Sequence, residues 1–257
     1  MIGLIGGSGF ENPSLFKLEE EKEIKTEFGK PSGKIKIGTI AGKKVAFISR
    51  HGEKHTINPT NVNYRANIMA LKKLGVKKII ASSAVGSLKE EFKPGEFAFV
   101  NQFIDRTTKR TQTFYDKKQV CHISVAEPFC SDLREKLIQS AKELNLEFHE
   151  KATCVVIEGP RFSTKAESNL FRSWNADLIG MTLVPEAVLA REAEICYATI
   201  AMITDYDVWK EKPVDVETVL KRMKENSKKL QDLIKKTIPL IDEKDCECNS
   251  ALKNALI

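Results

Sequence analysis

The chain has 257 residues, 42% hydrophobic and 30% charged, an ordinary balance for a globular protein with a full core. Its net charge of +6 is spread as lysines among glutamates, as in Glu19-Glu20-Glu21-Lys22-Glu23, which argues for a solvated surface and against a nucleic-acid footprint. No stretch reaches the length of a membrane span, and Met1-Ile2-Gly3-Leu4-Ile5 lacks the features of an export signal, so a cytoplasmic location with no membrane partner is expected.

Strand-like and helix-like segments alternate along the chain. Ile2–Ile5 is a short apolar strand that runs into Gly6-Gly7-Ser8-Gly9. Lys34–Ile40 and Lys44–Ser49 flank Ala41-Gly42-Lys43 as a hairpin. Helical spacing runs from Asn61 to Leu74 and stops at Gly75, a good residue for the left-handed position after a helix. Lys78–Ser83 and Glu96–Ile104 read as strands, Ser131 as the cap of a helix through Leu144, and Thr153–Ile157 as a strand. Thr164 is placed to cap a helix reaching Trp174, and Cys196–Ile203 reads as a buried strand. Val214 to Leu240 forms a long helix with Leu220, Met223, Leu230, Ile234 and Ile238 inward. The prediction is one α/β domain over residues 1–241, followed by a tail, 242–257, that carries Cys246-Glu247-Cys248.

Four strand exits end in glycine, hydroxyl or cationic residues. Gly6-Gly7-Ser8-Gly9 offers backbone N–H groups and a hydroxyl to an anion, without the Lys-Ser/Thr of a nucleotide-phosphate loop. Ser49-Arg50-His51-Gly52 adds a planar guanidinium fork. Ser82-Ser83-Ala84-Val85-Gly86-Ser87 and Met181-Thr182 add further hydroxyls. Each alone also fits a plain turn or a surface polar pair, but together they describe a pocket for inorganic phosphate without a metal. At a fifth exit, Asp205 and Asp207 stand two apart, so on extended chain both would face one object beyond the strand. Such a pair suits the N7 and 6-amino edge of adenine, although a capping Asp205 and a solvated Asp207 would give the same sequence. Six cysteines are scattered without paired Cys-x-x-Cys spacing, so no zinc site is expected. Cys246 and Cys248 read either as a strained redox pair or as exposed thiols.

These motifs, with Asn63-Tyr64-Arg65-Ala66-Asn67-Ile68, Asp105-Arg106-Thr107, Glu158-Gly159-Pro160-Arg161-Phe162-Ser163 and Asp205-Tyr206-Asp207-Val208-Trp209, resemble the 5′-methylthioadenosine phosphorylase branch of the trimeric purine nucleoside phosphorylases, in order from Ile2 to about Ile241. The resemblance implies a single α/β domain with a twisted mixed β-sheet flanked by helices, assembled as a trimer or a pair of trimers. It implies a phosphate site of Ser8, Arg50, His51, Ser83, the Ala84 backbone and Thr182, and a purine site of Phe162, Ser163, Asp205 and Asp207. Met181 would lie beside the ribose, His122 of a neighbouring subunit near the 5′ substituent, and Val214, Val216 and Val219 around the methylthio group.

The implied reaction is phosphate-dependent cleavage of 5′-methylthioadenosine to adenine and 5-methylthioribose 1-phosphate. Asp205 would act as general acid at the base and Asp207 would select the 6-amino purine; no cofactor is called for beyond phosphate as co-substrate. The rivals are a broader purine nucleoside phosphorylase acting on adenosine or inosine, and a non-catalytic purine-binding protein. Thermophilic archaeal relatives further imply a Cys130–Cys196 disulfide.

Overall fold

The structure is a computed structural model and describes residues 1–6, 15–210, 214–244 and 246–257. Ser8 of the expected phosphate site therefore lies outside the described residues. Eleven strands among the described residues form one mixed sheet: β1 (Ile2–Gly6), β2 (Lys17–Lys22), β3 (Ile35–Ile40), β4 (Lys43–Ser49), β5 (Lys78–Ser87), β6 (Phe97–Phe99), β7 (Gln102–Arg106), β8 (Phe148–His149), β9 (Thr153–Ile157), β10 (Leu178–Gly180) and β11 (Cys196–Asp205). The main path runs β2-β3-β4-β1-β5-β10-β9-β7, and β11 joins β5 to β6 and β8.

Alternation along the strands builds a core on each face of the sheet. Ile5, Ala46, Ile48, Ile79, Ala81 and Ala201 face one cluster, whereas Leu4, Val45, Phe47, Ile80, Ala198 and Ile200 face the other. Helices α1 (Tyr64–Lys73) and α4 (Leu183–Glu192) cover the first face; α2 (Ser131–Glu143) and α5 (Val216–Thr237) cover the second. Helix α3 (Lys165–Ser173) packs Phe171 on a smaller cluster with Val155 and Ile179. Thr164 caps it as expected, and the structure adds a full capping box: the Thr164 hydroxyl accepts from the Glu167 backbone and the Glu167 carboxylate from the Thr164 backbone. No helix among the described residues is long and apolar enough to cross a membrane.

Several boundaries differ from expectation, each for a physical reason. The strand expected over Glu96–Ile104 is two strands, because the chain leaves β11 after Phe99 and joins β9 from Gln102. Helix α2 is capped by Cys130, with Ser131 as its first turn. Leu220 is 60% exposed instead of inward, since α5 buries residues only from Asn226 onward and its first turns are clear of the core. Three elements gave no signal in the sequence, β8 because it is only two residues long. Strand β2, Lys-Leu-Glu-Glu-Glu-Lys, has every residue exposed at the sheet edge, and α4 is buried nearly all round, so neither shows a one-sided apolar pattern.

Strand β5 is the axis of the site. On one edge it pairs with β1 through Ala81 and with β10 only from Gly86, while β11 runs along its other edge. Between those partners one edge of Ser82–Val85 has no strand beside it among the described residues. The opening sits at the carboxyl ends of β1 and β4, where open α/β sheets hold ligands.

Gly38 shows how close the far edge packs: a Cβ there would stand 2.1 Å from the Lys17 carbonyl oxygen. Gly38→Ala should therefore cost about 1–3 kcal/mol in a urea melt, whereas Gly33→Ala, which meets nothing within 4 Å, should leave the midpoint unchanged.

Candidate active site

Arg50 leaves the end of β4 and is 3% exposed. Its Nε donates to Glu186 Oε2 at 2.7 Å and its Nη2 to Glu186 Oε1 at 2.8 Å, while Nη1 donates to the Ser82 carbonyl at 2.9 Å. Glu186, fully buried in α4, also accepts from the Tyr197 hydroxyl at 2.7 Å. Burial works against the Arg50 charge, and the attraction and hydrogen bonds of Glu186 more than offset it, so the guanidinium is held firmly cationic. Three of its five N–H groups are spent on these partners, leaving one on each terminal nitrogen for a ligand.

The Ser82 carbonyl points to the open edge of β5, and in a strand the N–H of residue i+2 points the same way. The Ala84 N–H therefore faces the same opening as the Arg50 fork. Ser83 and Ala84 are half-buried there, and the Thr182 hydroxyl, at the start of α4, makes no capping bond. His51, the other residue of this strand exit, has one ring nitrogen already engaged. Its Nδ1 lies 2.8 Å from the Ile57 carbonyl, which can only accept, so Nδ1 carries the proton. Burial, and then the Arg50 charge, push its pKa down to about 4. The ring is neutral at pH 7, and its Nε2 offers a lone pair to a protonated oxygen of a bound anion.

Asp205 ends β11 and Asp207 follows at φ +50°, past a bulge between Ile203 and Asp205. The two acids therefore do not share a side as extended neighbours. They meet through a turn, in which the Asp207 N–H donates to Asp205 Oδ1 at 2.7 Å and Thr204 Oγ1 donates to Asp205 Oδ2 at 2.7 Å. Gly86 makes room for this: a Cβ there would lie 2.9 Å from Asp205 Oδ1 and 3.3 Å from the Asp207 Cβ. Asp207 is not solvated but 3% exposed. Its Oδ2 has no hydrogen-bond partner of good geometry, and neither do the buried hydroxyls of Ser163 and Ser168, although both hydroxyls lie near enough to draw its pKa down. Burial outweighs them and raises both carboxyls, that of Asp205 despite Thr204 and the Asp207 backbone. Three unpartnered polar atoms around a buried acid describe a place for a polar ligand edge.

Phe162 stands 37% exposed beside Ser163. Gly159, at φ +65°, brings the backbone so close to Met181 that a Cβ would meet its sulfur at 2.6 Å. Val214 donates its N–H to the Asp207 carbonyl at 3.1 Å, which ties the start of α5 to the acidic turn. Val214 and Val219 are half-buried, whereas Val216 is exposed. His122 is exposed beside the bridge between Cys121 and Leu256.

Two residues that the sequence did not single out organise the cleft. Arg110 donates to the carbonyls of Met181 at 2.5 Å, Val184 at 2.6 Å and Glu158 at 2.6 Å, and its Nε to Glu158 Oε1 at 3.1 Å. Burial would raise the Glu158 carboxyl, but N–H groups of Thr108 and Lys109, the Thr60 hydroxyl and Arg110 hold it at about 2. The lysine-lined cleft of about 570 Å³ near Lys43, Lys44, Lys77 and Lys78 lies at the other end of the sheet, by the amino ends of β1 and β5, and has no part in this arrangement.

The open edge of this α/β sheet thus presents a cationic fork, and the adjoining strand end presents buried acids, at the end of the strands where ligands bind in such sheets. The chain belongs to the phosphorylase superfamily, whose profile matches residues 1–239. It is 55% identical over its full length to S-methyl-5′-thioadenosine phosphorylase of Thermofilum pendens, covering 98% of that protein, and 54% identical to that of Pyrococcus furiosus, covering 99%. Among solved structures it matches an adenosine/methylthioadenosine phosphorylase mutant from Schistosoma mansoni in complex with methylthioadenosine, with TM-score 0.92 and 39% identity over 98% of this chain and 95% of that one. A methylthioadenosine phosphorylase from an antarctic soil metagenomic library gives TM-score 0.94 and 42% identity over 100% and 92%.

Removing one partner of a buried ion pair strands the other charge. Glu186→Ala should lower stability by about 3–5 kcal/mol in denaturant melts, whereas wild-type stability in this variant would mean that Arg50 is satisfied without it. The acidic turn gives a pH signature. A carboxyl raised in the folded state stabilises below its unfolded pKa of about 3.9, and that stability is lost as pH rises through the folded value. Asp207→Asn should thus gain melting temperature relative to wild type at pH 8 and converge with it near pH 4; a difference that does not change with pH would show that the carboxylate is fully satisfied.

Proposed function

We propose that the chain cleaves 5′-methylthioadenosine with inorganic phosphate, releasing adenine and 5-methylthioribose 1-phosphate. The observation that carries this reading is the unpartnered Asp207 Oδ2, with the Ser163 and Ser168 hydroxyls, beside a half-spent Arg50 fork. A purine with a 6-amino group supplies the donor that Oδ2 lacks, and phosphate supplies oxygens for the remaining Arg50 N–H groups and the Ala84 N–H. The relatives named for this reaction cover the full chain at more than half identity.

The chemistry follows from charge. As the glycosidic bond breaks, the sugar becomes cationic and the base becomes an anion. Asp205, its carboxyl raised by burial, delivers a proton to N7 and removes the charge from the leaving base. Phosphate seated on Arg50, Ser83, Thr182 and the Ala84 N–H lies under the sugar, stabilises the cation and attacks C1′. His51, neutral and with its Nδ1 proton committed to the Ile57 carbonyl, accepts a hydrogen bond on Nε2 from a protonated phosphate oxygen and so orients the nucleophile. Phe162 stacks on the purine, Met181 lies under the ribose, and Val214, Val216 and Val219 line the methylthio side. The working form is a homo-oligomer, trimeric or a dimer of trimers, in which His122 of a neighbouring copy closes the 5′ end. Phosphate is a co-substrate, and no metal or organic cofactor enters the reaction.

Incubation with methylthioadenosine should release free adenine and a sugar 1-phosphate only when phosphate is added, as read by chromatography; adenine release at the same rate without phosphate would overturn the reading. Asp207→Asn should shift the kcat/KM ratio toward 6-oxo nucleosides by about 10- to 100-fold. Unchanged selectivity would remove Asp207 from base recognition.

A further inference from the structure

The structure describes all six cysteines as free and shows no bond between Cys130 and Cys196. The fold instead gathers four of them. Cys130 is the N-cap of α2, Cys196 opens β11, and Cys246 and Cys248 come from the tail, so three separate segments converge. Their four sulfurs all lie within 4.8 Å of one another. The expectation of no zinc site rested on the absence of paired cysteine knuckles; 66 positions separate Cys130 from Cys196, and only the fold makes them neighbours.

We propose that these four thiols form a closed tetrathiolate site for one zinc ion that pins the C-terminal tail to the sheet. Zinc binds thiolates at about 2.3 Å in a tetrahedron, which sets adjacent sulfurs about 3.8 Å apart. The Cys130 and Cys246 sulfurs stand 3.7 Å apart, close to that edge and far from the roughly 2.05 Å of a sulfur–sulfur bond. A structural zinc needs all four sulfurs around one point with no open position, whereas disulfides need closeness only in pairs.

The surroundings suit a tetrathiolate with two negative charges. Arg191 Nη1 donates to Cys248 Sγ at 3.5 Å and supplies a compensating positive charge. Cys130 sits at the positive end of a 13-residue helix. Cys130, Cys196 and Cys248 are buried in one of the two sheet-face cores, away from Arg50 and the acidic turn on the chain. The tail is already oriented there without metal: the Cys246 N–H donates to Asn249 Oδ1 at 3.0 Å, and Asn249 Nδ2 donates to the Glu194 carbonyl at 2.9 Å. Binding forms four Zn–S bonds as four S–H protons pass to solvent, with no change of oxidation state.

The test uses the full chain, purified under reducing conditions, loaded with zinc chloride and dialysed against metal-free buffer. Elemental analysis should find about one zinc per chain, and Cys121→Ser should keep it. Cys248→Ser and Cys246→Ser should each lose most of it. Should these variants fold poorly, cobalt chloride added to the wild-type apoprotein gives an independent readout. Sulfur-to-cobalt charge transfer with the strong visible bands of tetrahedral cobalt supports the site, and octahedral cobalt spectra count against it. Zinc retention near zero, with six titratable thiols in denaturant, would overturn the proposal. So would an intact mass reduced by two hydrogens per sulfur–sulfur bridge, which would assign the cluster to disulfides.

Discussion

The buried pairing of Arg50 with Glu186 is the constraint on which the site depends. A guanidinium removed from water is tolerable only when its charge is matched and its N–H groups are met, and Glu186 does both through two parallel bonds. Because Glu186 is itself held by Tyr197 of β11, the pair joins β4, α4 and the central strands into one rigid unit. The third bond, to Ser82, fixes the fork against the open edge of β5. An anion arriving there meets donors whose orientation is already set, so little ordering remains to be done on binding.

The acidic turn has the opposite character. The Arg50 charge is matched by the protein, with two N–H groups to spare, whereas Asp207 and its neighbouring hydroxyls are short of well-aligned partners. A buried carboxylate oxygen short of well-aligned donors raises the free energy of the empty protein, and a ligand that supplies one relieves it. The cleft thus combines a preorganised cationic half with an acidic half short of donors. Positive φ at Asp207 belongs to the same picture: a strained backbone position that aims a side chain inward where an extended strand would not.

Much of this was legible in the sequence. The strand exits at Ser49-Arg50-His51 and Ser83-Ala84, the Asp205–Asp207 pair and the Thr164 cap are visible locally, and although each alone also fits a plain turn, their recurrence at successive strand ends points to one cleft. Glu186 did not, since its meaning lies in a partner 136 positions away and its helix is apolar on every side. Arg110 and Glu158 were hidden for a similar reason: both serve carbonyls and N–H groups of loops, which leave no periodic trace. The cysteine cluster is the same lesson for sulfur, as the spacing along the chain says nothing about which strand end a tail will reach. The turn between Asp205 and Asp207 shows the reverse case, in which the residues were right and the assumed extended geometry was not.

Arg110 carries one more implication. One guanidinium grips the carbonyls of Met181, Val184 and Glu158 at once, so the start of α4 and the loop leading to Phe162 and Ser163 are held by a single cross-member. Neither wall can drift without dragging the other. The spacing between Met181 and the Phe162 loop is thereby set by Arg110, and a change in the segment around residues 107–110 would move both walls together.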